Sequence, residues 1–292
     1  MYKSIRIIRI LLALVTMTLP TWALVAGYDS VFRNMQILTA LLSGSLLCLV
    51  FWLVATLIYG RIYCSVVCPL GTAMDCIAAA ERTLSRRRRN FRYTPPRNAV
   101  RIVFLAIAVL MILVGGPMLP TLLDPYTEYA RMVEEFLVRP FGRNADGVRF
   151  CLSAFAVASF ILVSLLGFSW KHGRILCNTV CPVGTVLAMC SRRSVFHPDI
   201  NTDKCINCGE CERVCKAGCI RLTDHVVDID RCVVCFDCMA VCPSDAITYR
   251  QGRHRLGMPM MQATSGPQNL SAPAQDAPQQ PIKETQNNET VS

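Results

Sequence analysis

Gly60-Arg61-Ile62-Tyr63-Cys64-Ser65-Val66-Val67-Cys68-Pro69-Leu70-Gly71-Thr72 returns later in the chain as Gly173-Arg174-Ile175-Leu176-Cys177-Asn178-Thr179-Val180-Cys181-Pro182-Val183-Gly184-Thr185. Nine of the thirteen positions are identical. Upstream of the two copies lie four stretches without a charged residue: Ile10 to Tyr28, Asn34 to Gly60, Ile102 to Leu123 and Phe150 to Trp170. Each has about the 20 residues that a helix needs to cross a bilayer. The repeating unit is therefore two apolar helices followed by G-R-I-x-C-x-x-V-C-P-x-G-T, and it begins and ends on one side. Such units relate by an axis along the membrane normal, a layout also used by transporters. The expected fold is an α-helical membrane protein: four transmembrane helices over residues 1–195, in two parallel two-helix repeats, with C-x3-C-P elements at 64–69 and 177–182.

Charge supplies the orientation, because short cytoplasmic loops collect Lys and Arg. Lys3, Arg6 and Arg9 precede the first span, and nine arginines from Arg61 to Arg101 follow the second against Asp75 and Glu81. The connection from Gly27 to Arg33 has one charge of each sign, and acids balance arginines after the third span. The chain is expected to be a multi-pass protein of the inner (cytoplasmic) membrane, N- and C-termini cytoplasmic, its first helix uncleaved. The Arg86–Arg89 run then reads as a topology signal beside anionic membrane lipid. The net charge of +10 needs no nucleic acid, which would not suit a chain that is 53% apolar and 17% charged.

The C-x3-C-P element has its own logic. Proline is favoured at the first position of a helix, where its missing N–H would be unpaired anyway. Pro69 and Pro182 should open helices with Cys68 and Cys181 as their N-caps. A thiol there, near Arg61 or Arg174, is expected to have a lowered pKa. The roles left open for Cys64, Cys68, Cys177 and Cys181 are metal or cluster ligation, dithiol–disulfide cycling, contact with the module that follows, and the mere shaping of a turn.

That module occupies residues 196–250. Cys205-x2-Cys208-x2-Cys211-x3-Cys215 is followed by Cys232-x2-Cys235-x2-Cys238-x3-Cys242-Pro243. This is the run of bacterial two-cluster ferredoxins, in which the fourth cysteine serves the other cluster. The spacing assigns Cys205, Cys208, Cys211 and Cys242 to one [4Fe–4S] cluster, and Cys232, Cys235, Cys238 and Cys215 to the other, within an α+β fold. Iron would be held through these eight cysteines. Zinc sites built from two C-x2–4-C pairs leave the third cysteine of each triplet unexplained, and a cytoplasmic location disfavours disulfides.

Lys216 stands where the second run has Pro243. Cys219 aligns with Ala246 and reads as core, as do Cys48 and Cys151 within spans; Cys76 and Cys190 are open. The module's seven acids (Glu210, Glu212, Asp224, Asp228, Asp230, Asp237 and Asp245) suggest an acidic face docked beneath a basic membrane face, although each singly reads as solvated surface. Residues 251–292 are polar and should form a disordered tail.

None of His172, His197, His225 and His254 lies inside a span, so a dihaem cytochrome b is excluded and no haem is expected. There is no C-x2-C-H, Walker A or G-x-G-x-x-G motif. Four spans, two C-x3-C-P elements and a two-cluster module together resemble the NapH/NosR group of ferredoxin-type membrane proteins. The short segment after the third span leaves no room for the large extracytoplasmic domain of NosR, so the resemblance is nearer the NapH side.

The resemblance implies a quinol dehydrogenase component of anaerobic respiration. It would take electrons from the quinone pool and pass them, with a separate iron–sulfur or cytochrome subunit, toward a periplasmic reductase of the nitrate type. Asp124 and Glu128, near the outer end of the third span, could accept protons if quinol binds at that end, but they read first as plain loop charges. The alternative is an accessory protein supplying electrons for assembly or reactivation of a metalloenzyme such as nitrous oxide reductase.

Overall fold

The computed structural model describes residues 2–27, 32, 35–42, 44–84, 91–115, 123–141 and 152–251. The Arg86–Arg89 run, Cys151 and the tail beyond Gln251 lie outside the described residues. The fold is mostly helical, with the small α+β module at its C-terminal end.

Helix α1 (Tyr2–Ala26) runs through Pro20 without a break. Among the described residues it is one of two helices long and apolar enough to cross a membrane; the other is Ala154–His172, within Leu152–His172. The second expected span is divided into α2 (Ile37–Leu42) and α3 (Leu46–Tyr59), with Gly44 between them at φ 75°. Uncharged Gly44 and Ser45 are invisible to a count of charges, yet they interrupt the helix. The third is α6 (Asn98–Gly115), of 18 residues. Large apolar side chains nevertheless point outward from all four stretches, among them Trp22, Leu47, Phe51, Leu113 and Phe160. A band of this extent marks a surface made for an apolar surrounding.

After α3 the chain turns at Gly60 (φ 71°) into α4 (Tyr63–Val66) and then α5 (Pro69–Leu84). The second copy repeats this: α8 (Leu152–His172), a turn at Gly173 (φ 60°), α9 (Ile175–Thr179) and α10 (Pro182–Ser191). Pro69 and Pro182 do open helices, and Cys181 Sγ accepts the N–H of Gly184 at 3.3 Å. The two copies are bolted together by exchanged arginines. Arg174 donates to the carbonyl of Cys64 at 2.6 Å, and Arg61 to that of Cys177 at 3.4 Å. A side chain at Gly71 would meet the Cys64 carbonyl at 2.6 Å; one at Gly184 would meet the Cys177 carbonyl at 2.4 Å. Both glycines are there to let backbones approach.

The segment after the third expected span is not a loop. Asp124 caps α7 (Pro125–Val133) by accepting the Thr127 N–H at 3.0 Å, and a π-helical turn continues over Glu134–Val138. This hairpin of helix folds back between α1, α5 and α8, where Tyr129, Met132 and Val133 pack on Met74 and Leu165. Asp124, Glu128 and Glu135 are buried, which overturns their reading as loop charges. Tyr129, Met132 and Val133 supply the apolar stripe, but at nine residues the stripe is too short for a span-length window.

In the module, β1 (Phe196–Ile200) pairs antiparallel with β4 (Ile247–Gln251), joining its two ends. Between them lie α11 (Glu210–Val214), the hairpin of β2 (Ile220–Arg221) and β3 (Val226–Val227), and α12 (Asp237–Val241).

Candidate functional site

The eight module cysteines gather into two cavities. One is lined by Cys205, Cys208, Cys211 and Cys242; the other by Cys215, Cys232, Cys235 and Cys238, with Cys219 beside them. These are the sets brought together across the two runs, the fourth cysteine of each crossing to its neighbour. Both loops use the same backbone device. Asn207 and Gly209 in the first run, and Val234 and Phe236 in the second, have φ between 51° and 77°. Gly218 and Asp245 repeat it after each fourth cysteine, at φ 57° and 48°. A β-branched or aromatic residue in the left-handed region is strained and persists where the surroundings impose it. The Cys219 N–H points at Cys215 Sγ (3.4 Å) and the Ala246 N–H at Cys242 Sγ (3.3 Å). Four thiols per cavity and amides aimed at sulfur fit a cubane. Cys219 is buried in the core as read, with its sulfur 3.4 Å from that of Cys215.

The two cavities differ in position. Cys235 and Val233 pack against Tyr63, Cys64, Cys68 and Leu187, so the second cavity is proximal to the repeated elements. The first is distal: Cys208 is exposed, and Ile206 beside it is 65% exposed.

All four C-x3-C-P cysteines line a single cavity of about 330 Å³ between the copies. Its remaining wall is apolar, from Phe160, Ile161 and Leu165 of α8 and Leu123 and Pro125 at the start of α7, and Glu128 is its carboxylate. Burial pushes Glu128 up to about 7, with Arg131 opposing and Asp124 assisting. The expectation of acidic thiols is corrected here. Burial raises Cys68 and Cys181 well above the usual thiol range and Cys177 to about 11, because desolvation outweighs the helix ends and arginines. Among the described residues, no three His, Cys, Asp or Glu side chains close on a single metal ion, in this cavity or in the module.

Beneath the cavity sits a buried charge network that sequence reading missed. Asp75 accepts from Arg174 Nε at 2.7 Å and pairs with Arg9 and with Lys216 Nζ, both at 3.3 Å. Lys216 continues to Asp237 at 3.0 Å, and Arg6 meets Asp237 at 2.7 Å. Burial would raise the Asp75 carboxyl; Arg174, Lys216 and Arg9 together hold it well below the ordinary range. Lys216 thus stands in place of a proline to reach the helical part of the chain at Asp75. Arg6 and Arg9, read as flanking charges, are structural. Of the module's acids, Asp230 faces Arg101 (3.6 Å) and Arg192 (3.8 Å), and Asp237 is fully engaged. Glu210 and Asp224 pair locally at the surface, as their single readings had it.

A family described as a 4Fe-4S binding domain matches residues 43–92 and again 154–200, one match over each copy of the repeat. A 4Fe-4S dicluster domain matches residues 204–246. The ferredoxin-type protein NapH of Escherichia coli is 28% identical over 178 residues, covering 61% of this chain and 54% of its own length. The chain thus resembles NapH and the ferredoxin-type proteins, with regions similar to 4Fe-4S binding domains. The methylamine utilization ferredoxin-type protein MauN of Paracoccus denitrificans is 28% identical over 190 residues, 64% of this chain and 58% of the relative. The putative electron transport protein YccM of Escherichia coli is 24% identical over 178 residues, 59% of this chain and 46% of the relative. The NapH-like chain spans about half the length of these curated relatives. No solved structure matches it.

Proposed function

We propose that this NapH-like chain is a multi-pass membrane subunit that oxidises quinol and relays the electrons singly through two [4Fe–4S] clusters. The observation that carries the reading is the cavity in which Glu128 meets an apolar wall, directly above the proximal cysteine set. A volume of about 330 Å³ lies in the range of small-ligand sites. Quinol gives up two protons with its two electrons, and a carboxyl poised near 7 is matched to receive one. Cys215, Cys232, Cys235 and Cys238 would hold the proximal cluster. Cys205, Cys208, Cys211 and Cys242 would hold the distal one, whose exposed edge at Ile206 offers the exit to a separate redox subunit. When bound, the clusters supply one-electron carriers; the chain's residues position them and take up the proton.

The outward apolar surfaces of α1, α3, α6 and α8 support four membrane-embedded segments, and the arginine-rich motif side supports cytoplasmic termini. A periplasmic reductase as final acceptor rests on the resemblance. The decisive experiment is anaerobic purification in detergent, addition of a reduced menaquinone or ubiquinone analogue, and EPR of the clusters. Reduction by quinol is expected. Clusters that stay oxidised with every quinol but reduce with dithionite would refute quinol oxidation and favour the accessory role. A reporter fused after Arg250 should be active in the cytoplasm only.

A further inference from the structure

We infer that the four C-x3-C-P thiols, Cys64, Cys68, Cys177 and Cys181, jointly hold one further iron–sulfur cluster, shared between the two copies of the repeat. Each copy brings two thiols, too few for the four-thiolate ligation of a [2Fe–2S] or [4Fe–4S] cluster. The exchanged arginine bonds bring both pairs to one cavity, so the cavity holds four. A cluster spreads its four thiolates over two or four irons, so no three of them meet at one metal ion. The lack of any mononuclear grouping among the described residues is shared by the module's cysteines and matches that requirement.

Electrostatics points to an anion at this place. Arg61 is fully buried, and no carboxylate among the described residues pairs with it. Its donors go to the Asn178 side chain (2.6 Å), the Asp230 carbonyl (3.1 Å), the Cys177 carbonyl and Cys64 Sγ (3.8 Å), and its Nε has no partner. A buried guanidinium without a counter-charge is costly. A cluster with four thiolates carries net negative charge and would place it against Arg61. Arg174, by contrast, already has Asp75.

The amide pattern agrees. Cys68 and Cys181 accept the N–H groups of Gly71 and Gly184, three residues on, as Cys215 and Cys242 accept those of Cys219 and Ala246, four residues on. Amides aimed at sulfur stabilise thiolate ligands and tune their clusters. The apolar wall of α7 and α8 with Glu128 remains as the approach for a quinol head, but the inference does not depend on quinol.

The test is iron and acid-labile sulfide per chain, after anaerobic reconstitution of the full-length protein, with Mössbauer spectra. Two module clusters account for about eight irons, and a further cluster raises this to about ten or twelve according to its type. The Cys64→Ser/Cys181→Ser variant should fall back to about eight, with the module's EPR signals unchanged. A wild-type count of about eight overturns the inference without any variant. So does a higher count that persists in the double variant. Where that variant fails to accumulate, Arg61→Leu serves instead: it should shift the midpoint potential of one cluster signal and leave the other two in place.

Discussion

Asp75→Asn removes one negative charge and no volume from the most crowded ionic site in the molecule. Arg174, Arg9 and Lys216 converge on that carboxylate at 2.7 to 3.3 Å, with its side chain 11% exposed. Lys216 keeps Asp237 at 3.0 Å, but Arg174 and Arg9 are left with no carboxylate among the described residues. Breaking a buried ion pair from one side typically costs about 3–5 kcal/mol, and that is the expected loss. Lys216→Met in the same background removes one of the stranded cations. The double variant should therefore be at least about 1 kcal/mol more stable than the sum of the two single changes, a coupling normal for residues in contact. Urea unfolding in a mild detergent, followed by helical circular dichroism, measures both. A pH series adds the sign. The depressed carboxyl contributes in full above its unfolded pKa of about 4 and loses that contribution as pH falls toward its folded value. An Asp75→Asn protein within about 1 kcal/mol of the parent, or strictly additive double-variant energies, would refute the hub assignment.

Glu128→Gln should remove the proton acceptor while keeping shape: quinol-dependent cluster reduction should slow, and a rate that rises through about pH 7 in the parent should become flat. Stopped-flow bleaching of cluster absorbance across pH 6 to 8.5 reads this out, and an unchanged profile assigns the proton elsewhere. Gly71→Ala and Gly184→Ala each drive a Cβ to within 2.6 Å of backbone carbonyls of their own copy. Each should cost about 2 kcal/mol or more in the same urea assay, as overpacking of rigid contacts does. Ile206→Glu changes only the exposed rim of the distal cavity. It should leave iron content and urea stability unchanged, yet slow reduction of a soluble one-electron acceptor several-fold. Equal rates would move the exit to another face.

The module and the repeat were legible because their chemistry is written at fixed spacing. Cysteines at x2 and x3 intervals, and a thirteen-residue motif kept twice, leave few geometries open. Long-range pairing was harder. Arg9 and Asp75, or Lys216 and Asp237, lie too far apart in the chain for any local pattern to join them, so charges that are structural looked like flanks and substitutions. The thiol acidity was misjudged for a related reason. Helix ends and arginines are visible in sequence, whereas the depth of burial that outweighs them depends on how the copies close on each other. Glu128 had one signal worth using: Asp124-Pro125 at the head of an apolar-striped segment is a helix start, not a loop. The division of the second span turns on two small uncharged residues that a hydropathy window averages away.

The first helix has a consequence for biogenesis. Arg6 grips Asp237, the Tyr249 N–H reaches the hydroxyl of Tyr2, and β1 is sealed by β4 only when Ile247–Gln251 has emerged. The start of α1 is thus bound by residues up to 247 positions further along the chain, and these contacts, unlike the pairing of Arg9 with Asp75, stay unmade until the module has been translated. Contacts of such sequence separation form late. Because cysteines line both module cavities and contribute to its core, iron–sulfur loading and the docking of the start of α1 become one closing step. A chain starved of iron would be left with its first helix unclasped, giving the cell's quality control a handle on unmetallated protein.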